Sequence, residues 1–365
     1  MKIGILTFHC AHNYGAMLQC YALQEHLISM GHSVEVINYQ PAYLLKPYKV
    51  FDIDRILSKN ILKLIKNILR ELLVLPKRSI RHRAFKHFLS KRINMSKLCD
   101  NNTIPDDFDA YIFGSDQIWN PQITNGIDGV YFGDFSFPKG KKLFISYAAS
   151  LGMDAIGSEW KASFKENLKK IDFISVREDS MIRLLAPLTN KPIKLVLDPT
   201  LLASKDIWNK VTDKVKQRNY VLVYQVREDS NTLDFARHIA RQLNADVVQL
   251  VAWVRRKNMI GEKACASPED FISYIKHASC IVTTSFHGTA FSIIFNRPFY
   301  CLKLSDGCDD RSRSLLDVLK LESRMVGKHE RPKFSAIDYS ISNKILENMR
   351  DESNSFIDSS LKNII

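Results

Sequence analysis

The sequence predicts an α/β protein built from two Rossmann-like halves, with parallel sheets that face a central cleft. Three observations predict it. Short apolar runs alternate with segments of helical period along most of the chain. The first strand, helix and strand fit within about 40 residues, the length of one right-handed βαβ unit. At 365 residues the chain is long for one core, and the alternation restarts after a boundary at 200–218.

The elements follow in order. Residues 2–8, KIGILTF, read as a buried strand, and a polar loop runs from His9 to Tyr14. In GAMLQCYALQEHLISMG, Met17, Leu18, Tyr21, Ala22 and Leu27 have helical spacing, and Gly31 supplies the stop. Residues 33–39 form a second strand, ended by Pro41. Next comes a basic insertion, 46–97, with fifteen Lys and Arg against Asp52, Asp54 and Glu71. That is +12 of the chain's net +13, so the remainder is nearly neutral. Leu57, Ile61, Leu64, Ile65, Ile68, Leu72 and Leu75 recur at helical period with Lys59, Lys63, Lys66 and Arg70 between them, an amphipathic basic helix. Residues 78–92 continue the charge over an apolar stripe of Phe85, Phe88 and Leu89.

Strands resume at 110–113, 143–147, 173–176 and 194–197. The second half, 218–330, repeats the scheme with strands at 220–224, 246–251, 280–284 and 299–304. Its helices are 231–243, one opened by Ser267-Pro268-Glu269-Asp270, and one from the 284–290 turn to Asn296. A helical tail, 331–365, closes the chain.

Composition narrows the function classes. No run of about 18 uncharged apolar residues occurs, so no transmembrane helix is expected. The N-terminus has no long apolar region with a small-residue cleavage site, and reads as a strand rather than a signal peptide. Seven scattered cysteines without C-x-x-C pairs suit reduced thiols in a cytosol. The charge is confined to one segment without a nucleic-acid module, so nucleic acid is not an expected partner.

Six polar clusters each follow a strand: HCAHNYGA, GSDQIWNP, AASLG, SVRED, LDPT and TSFHGT. Ligands of open parallel sheets bind beyond the carboxyl ends of strands, so the six point to one shared cleft. In TSFHGTA, a helix starting near His287 would aim its free N–H groups at the strand end, and Ser285, Gly288 and Thr289 would let an anion approach. His287 would exchange a proton there, or merely cap the helix. Arg177 can grip a carboxylate or phosphate with its fork, or form a salt bridge with Glu178 or Asp179. The loop His12-Asn13-Tyr14-Gly15 has one glycine and is not the dinucleotide fingerprint, but it can seat a sugar or phosphate. Asp116, Gln117, Trp119 and Asn120 combine a carboxylate, amides and a flat ring, which suits a sugar; Trp119 packing in the core is the alternative.

In this order and spacing, MKIGILTFHCAHNYGAMLQCYAL, FGSDQIWNP, YAASLG, SVREDS, LDPTLL and SFHGTAFSIIFNRPF resemble the bacterial polysaccharide pyruvyl transferases over about residues 1–320. The resemblance implies a GT-B-like fold with the acceptor on the 1–200 half and the donor on the 218–330 half. It implies transfer of pyruvate from phosphoenolpyruvate onto two hydroxyls of one sugar, such as the 4 and 6 positions of galactose, as a cyclic ketal in capsular or exopolysaccharide synthesis. His287 matches the family's catalytic histidine, and Arg177 its donor-binding arginine, with Ser285, Phe286, Gly288 and Thr289 around the donor. The loops carrying His12 to Gly15 and Asp116 to Asn120 then face the acceptor. One departure stands out: several members carry Arg two residues before the histidine, where this chain has Ser285. Arg311, Arg313 or Arg297 would replace that charge, Arg313 first. No cofactor or metal is implied. The implied acceptor is a polyprenyl-diphosphate-linked glycan at the cytoplasmic face of a membrane, and the 46–97 segment is expected to touch its anionic surface unless its apolar stripe packs on the core. A GT-B glycosyltransferase using a nucleotide sugar is the alternative enzyme, and a non-catalytic nucleic-acid binder the alternative outside enzymes.

Overall fold

The computed structural model describes residues 1–58, 60–212, 219–226, 229–254, 262–304, 309–327 and 329–362. Lys59 and the 213–218 part of the boundary therefore lie outside the described residues. Seven strands form the first sheet: β1 (Lys2–Leu6), β2 (Ser33–Tyr39), β3 (Met95–Cys99), β4 (Ala110–Phe113), β5 (Leu143–Ala149), β6 (Phe173–Val176) and β7 (Ile193–Leu195). All pairs are parallel, in the order β3-β2-β1-β4-β5-β6-β7. Six strands form the second: β8 (Tyr220–Gln225), β9 (Asp246–Val251), β10 (Glu262–Lys263), β11 (Cys280–Thr283), β12 (Phe299–Leu302) and β13 (Met325–Val326). Their order is β10-β9-β8-β11-β12-β13, again parallel. Two parallel-sheet α/β lobes make the expected GT-B-like architecture. The strand order reverses between β1 and β4 and between β8 and β11, where a crevice opens beyond the strand ends. The loops after β1, β4 and β11 carry HCAHNYGA, GSDQIWNP and TSFHGT.

Three strands were not legible. β10 and β13 have two residues each, too few for any pattern, and β3 is an edge strand with Lys97 and Leu98 exposed. The predicted 194–197 strand ends at Leu195, because Asp198 caps the short helix Pro199–Leu202 that begins immediately afterwards.

The lobes share one apolar core. A single buried cluster contains Ile3 and Ile145 of the first sheet and Leu222 and Ile281 of the second. At the seam Tyr14 stacks on Phe271 with centroids 4.7 Å apart, and Trp208 meets Phe291 edge-on at 4.8 Å. The C-terminal helix, Ser340–Leu361, returns to the first lobe. There the Ser353 hydroxyl accepts from the Leu197 amide at 3.0 Å, and Arg350 donates to the Leu201 carbonyl at 2.8 Å.

The basic segment differs from expectation. One helix, Ile61–Arg92, replaces the predicted Leu57–Leu75 helix and its continuation. Asn60 caps it by accepting from the Lys63 amide. Pro76 lies within it on an exposed turn, where the lost N–H bond to the preceding turn faces water. The far half packs through Phe85, Phe88 and Leu89, as their spacing predicts. There Arg81 crosses the seam, donating to the Tyr14 hydroxyl at 2.9 Å and to the Ala264 and Val251 carbonyls at 3.2 and 3.3 Å. In the near half, Ile61, Ile65, Ile68 and Leu72 are exposed, so the predicted stripe does not pack on the core.

Candidate active site

The helix Phe286–Ile294 starts directly after β11, with Ser285 in extended conformation at its cap. The Ser285 side chain makes no capping bond, so the first-turn amides keep their donor capacity. His287 lies in that first turn, with its side chain 11% exposed. Its ring rests against Gly15 of the first lobe: a Cβ there would lie 2.1 Å from His287 Nδ1. Gly15 is therefore required for close approach across the seam, a role different from seating a sugar.

Beneath the histidine lies a buried ionic cluster. Asp198 Oδ2 is 3.9 Å from His287 Nε2 and accepts from Arg177 Nη1 at 2.8 Å. Its other oxygen accepts from the Thr200 amide and hydroxyl at 2.9 and 2.7 Å. Arg177 Nε donates to Glu178 at 2.9 Å, and Asp116 Oδ1 stands 3.8 Å from Nη2. Ser150 donates to Glu178 at 2.8 Å, holding that carboxylate in place. Gly114 lets this loop form: its φ is +127°, and a Cβ would lie 2.1 Å from the Tyr147 carbonyl. β4, β7 and β11 thus each deliver one charged or titrating group to one point, and β6 delivers two, Arg177 and Glu178.

Charge explains the protonation states. Burial lowers the His287 pKa to about 4, and the Asp198 carboxylate recovers only part of the loss. Burial pushes Asp198 the other way, but His287, Arg177 and the Thr200 bonds outweigh it and hold the carboxyl below its ordinary range. Burial disfavours the Arg177 charge, yet the carboxylates of Glu178, Asp198 and Asp116 raise its pKa further. His287 is therefore neutral at pH 7, beside an ionised Arg177–Asp198 pair. Two buried polar atoms in this cluster, His287 Nε2 and Arg177 Nη2, have no hydrogen-bond partner among the described residues. An oxygen-bearing ligand would satisfy them.

The remaining expected site residues divide. The salt bridge between Arg177 and Glu178, expected at the surface as the alternative to anion binding, is present but buried. Phe286 packs edge-on against His287, with the Arg177 and Arg311 guanidinium groups 5.7 and 6.0 Å from its ring centre. Arg311 is the arginine whose charge reaches His287, whereas Arg313 pairs with Asp310 at the surface. Both line a cavity of about 470 Å³ with Glu178, Asp179 and Arg183, contributed by the two lobes. Gly288 packs on Thr283, where a Cβ would lie 2.2 Å from the hydroxyl oxygen. Thr289 is fully buried, and its hydroxyl has no hydrogen-bond partner among the described residues.

On the acceptor side, four expectations are corrected. Trp119 is 2% exposed, stacks on Phe132 and donates to the Tyr131 carbonyl, so it belongs to the core. Tyr14 is buried at the seam, where its hydroxyl donates to the Ala266 carbonyl at 2.9 Å. Asn13 and Asn120 cap helices, Tyr14–Ser29 and Pro121–Thr124. Gln117 stays half-exposed beside Gly152. His12 stacks on Phe85 and lines a second cavity of about 410 Å³ with Tyr48, Lys49, Arg55, His82 and Trp253. Tyr48 and Trp253 lie parallel there, 5.4 Å apart, and Trp253 is 45% exposed. Burial pushes the Tyr48 phenol up to about 12, and the Asp116 charge adds to it. Sequence reasoning missed Tyr48 and Trp253, which lie outside any motif. It singled out LDPT without giving Asp198 a role.

The family model for polysaccharide pyruvyl transferase matches residues 13–306, a span holding Arg177, Asp198 and His287. The chain belongs to the polysaccharide pyruvyl transferase family. Membership makes it a transferase of polysaccharide biosynthesis with a polysaccharide acceptor. A comparison with curated proteins gives no match. Among solved structures, the chain is similar to UDP-GlcNAc 2-epimerase from Neisseria meningitidis, at 9% identity and a TM-score of 0.48 over 100% of both chains. It is also similar to UDP-GlcNAc 2-epimerase from Methanocaldococcus jannaschii, at 12% identity and 0.43, covering 96% of this chain and 93% of that one. A third is ADP-heptose lps heptosyltransferase II from E. coli, at 10% identity and 0.35, covering 98% of each. No helix among the described residues is long and apolar enough to cross a membrane.

Proposed function

We propose that the protein transfers the pyruvate unit of phosphoenolpyruvate onto two hydroxyls of one hexose, forming a cyclic ketal and releasing phosphate. The observation that carries this reading is the buried cluster of His287, Asp198 and Arg177 at a helix N-terminus, inside the family-matched span, with two polar atoms unpartnered. Transfer needs a proton at C3 of the donor, which turns C2 electrophilic. One sugar hydroxyl attacks C2, the C2–O bond to phosphate breaks, and a second hydroxyl closes the ring. The two hydroxyl protons leave, one with the phosphate and one to replace the proton given to C3. His287 gives the C3 proton, a contribution of about 100- to 10,000-fold in rate for a positioned acid.

His287 is neutral without donor, so the donor's negative charge must raise its pKa as it binds. Arg177 Nη2, Arg311 and the first-turn amides would hold the phosphate and carboxylate. The acceptor, a glycan we take to be carried on polyprenyl diphosphate at a membrane surface, would lie in the second cavity with a sugar face against Trp253. The test is thermal shift and turnover with phosphoenolpyruvate and a glycan panel, read by mass spectrometry. A product heavier by one pyruvyl ketal supports the reading. Stabilisation by UDP- or GDP-sugars with none by phosphoenolpyruvate overturns it.

A further inference from the structure

The outward side of the near half of the Ile61–Arg92 helix is apolar. Ile61, Leu62, Ile65, Leu69, Leu72 and Leu73 are each 50–75% exposed, and Ile68 is 38% exposed. At ~100° per residue they cover an arc of about 140°. The packed face, Asn67, Glu71, Val74 and Phe85, lies on the opposite side. A helix normally turns its apolar stripe to the core and its charges to water; here the stripe faces out. Asn67 donates to the Ile56 carbonyl at 3.2 Å and fastens the preceding segment alongside, adding exposed Ile53 and Leu57. Lys66, Arg70 and Lys77 flank one edge of the arc, and Lys63 is exposed beyond them. The one acid in the helix, Glu71, is buried and paired with Arg78.

We propose that this face docks on an anionic lipid surface, with its leucines and isoleucines in the headgroup boundary and its cations on the acidic headgroups. Charge selects this occupant over a second copy of the chain. Two such helices face to face would bring their cations together with no exposed acid on either helix to answer them, and Asp54 of the adjoining segment is already paired with Lys46. Thirteen residues from Ile61 to Leu73 give a contact about 20 Å long. Arg81, bonded across the seam, lies about 12 Å further along the same helix, so docking would hold the seam near the surface. The surface stands on exposure and charge alone; its use, presenting the site to a lipid-linked acceptor, rests on the function proposed above.

The test sediments the full chain with phosphatidylcholine vesicles and with vesicles containing phosphatidylglycerol, at low and high salt. One variant combines Ile65→Ser, Leu69→Ser and Leu72→Ser; another combines Lys63→Gln, Lys66→Gln and Arg70→Gln. All six positions are exposed, so melting temperatures should match wild type. Wild type should partition onto anionic vesicles and come off at high salt, and each variant should partition at least tenfold less. Equal partitioning of wild type and variants overturns the proposal, as does absence of wild type from anionic vesicles. So does a wild-type dimer, seen by sedimentation velocity, that the serine variant makes monomeric without any vesicle binding. Turnover on a soluble glycan is measured in parallel: its failure with vesicle binding intact would sink the pyruvyl-transfer reading and leave the docking face standing.

Discussion

His287 carries the most informative titration. Its folded pKa of about 4 is below the unfolded value of 6.5, so between them the unfolded chain binds more protons. Stability from this group is therefore complete above pH 6.5 and is lost as pH falls towards 4, by roughly 3 kcal/mol for a shift of this size. His287→Gln should lose less melting temperature between pH 7 and pH 5 than wild type does, and should lose about 100- to 10,000-fold in turnover. Calorimetry in buffers of different ionisation enthalpy reads the proton uptake that accompanies donor binding. Phosphoenolpyruvate should bind with uptake of about one proton at pH 7, and zero uptake would remove His287 as the acid. Arg177 is as much a structural ion as a ligand. Arg177→Ala leaves the Asp198 and Glu178 carboxylates without their partner and should cost about 3–5 kcal/mol in denaturant melts. Arg177→Lys should recover part of the stability but not donor affinity, because the fork is lost. Gly15→Ala drives a methyl into the His287 ring, so activity should fall with a stability loss of only about 1–3 kcal/mol.

At the scale of elements, the strands whose apolar runs span four residues or more were legible, and so was the crowding of polar clusters at their ends. What pattern could not give was which polar group meets which. Asp198 is separated from His287 by 89 positions, and no local signal links them. Trp119 has the residue type of a sugar platform, and only the packing of Phe132 over its face removes it. Trp253 has no motif around it, and only Tyr48 from the other lobe makes it a wall. The pair yields a test by acceptor kinetics. Trp253→Ala should raise the acceptor KM at least tenfold with the melting temperature kept. Trp119→Phe should lower the melting temperature and leave that KM alone. A changed KM only in the Trp119 variant would restore the sugar role there. The basic helix shows the converse limit: its period was readable, but the side that turns inward was not. Exposed and buried apolar stripes look the same in sequence, and here Val74, Phe85 and Phe88 fix the rotation.

The whole molecule should unfold as one body. One core cluster joins both sheets, and the C-terminal helix ties the end of the chain to the first lobe. Phe291→Ala at the seam should therefore shift a single transition by about 3–5 kcal/mol, monitored by tryptophan fluorescence and far-ultraviolet dichroism together. Two separated transitions would show independent lobes. The welded seam also limits how the enzyme can work. Swinging the lobes apart would wet one face each of Tyr14, Phe271, Trp208 and Phe291. At about 100 Å² per ring that costs roughly 10 kcal/mol, more than the roughly 8 kcal/mol that a ligand of micromolar affinity releases on binding. Substrates must then enter by side-chain rearrangement at the mouths of the cavities. Solution scattering should give the same radius of gyration with and without donor: catalysis in this molecule needs doors, and has no jaw.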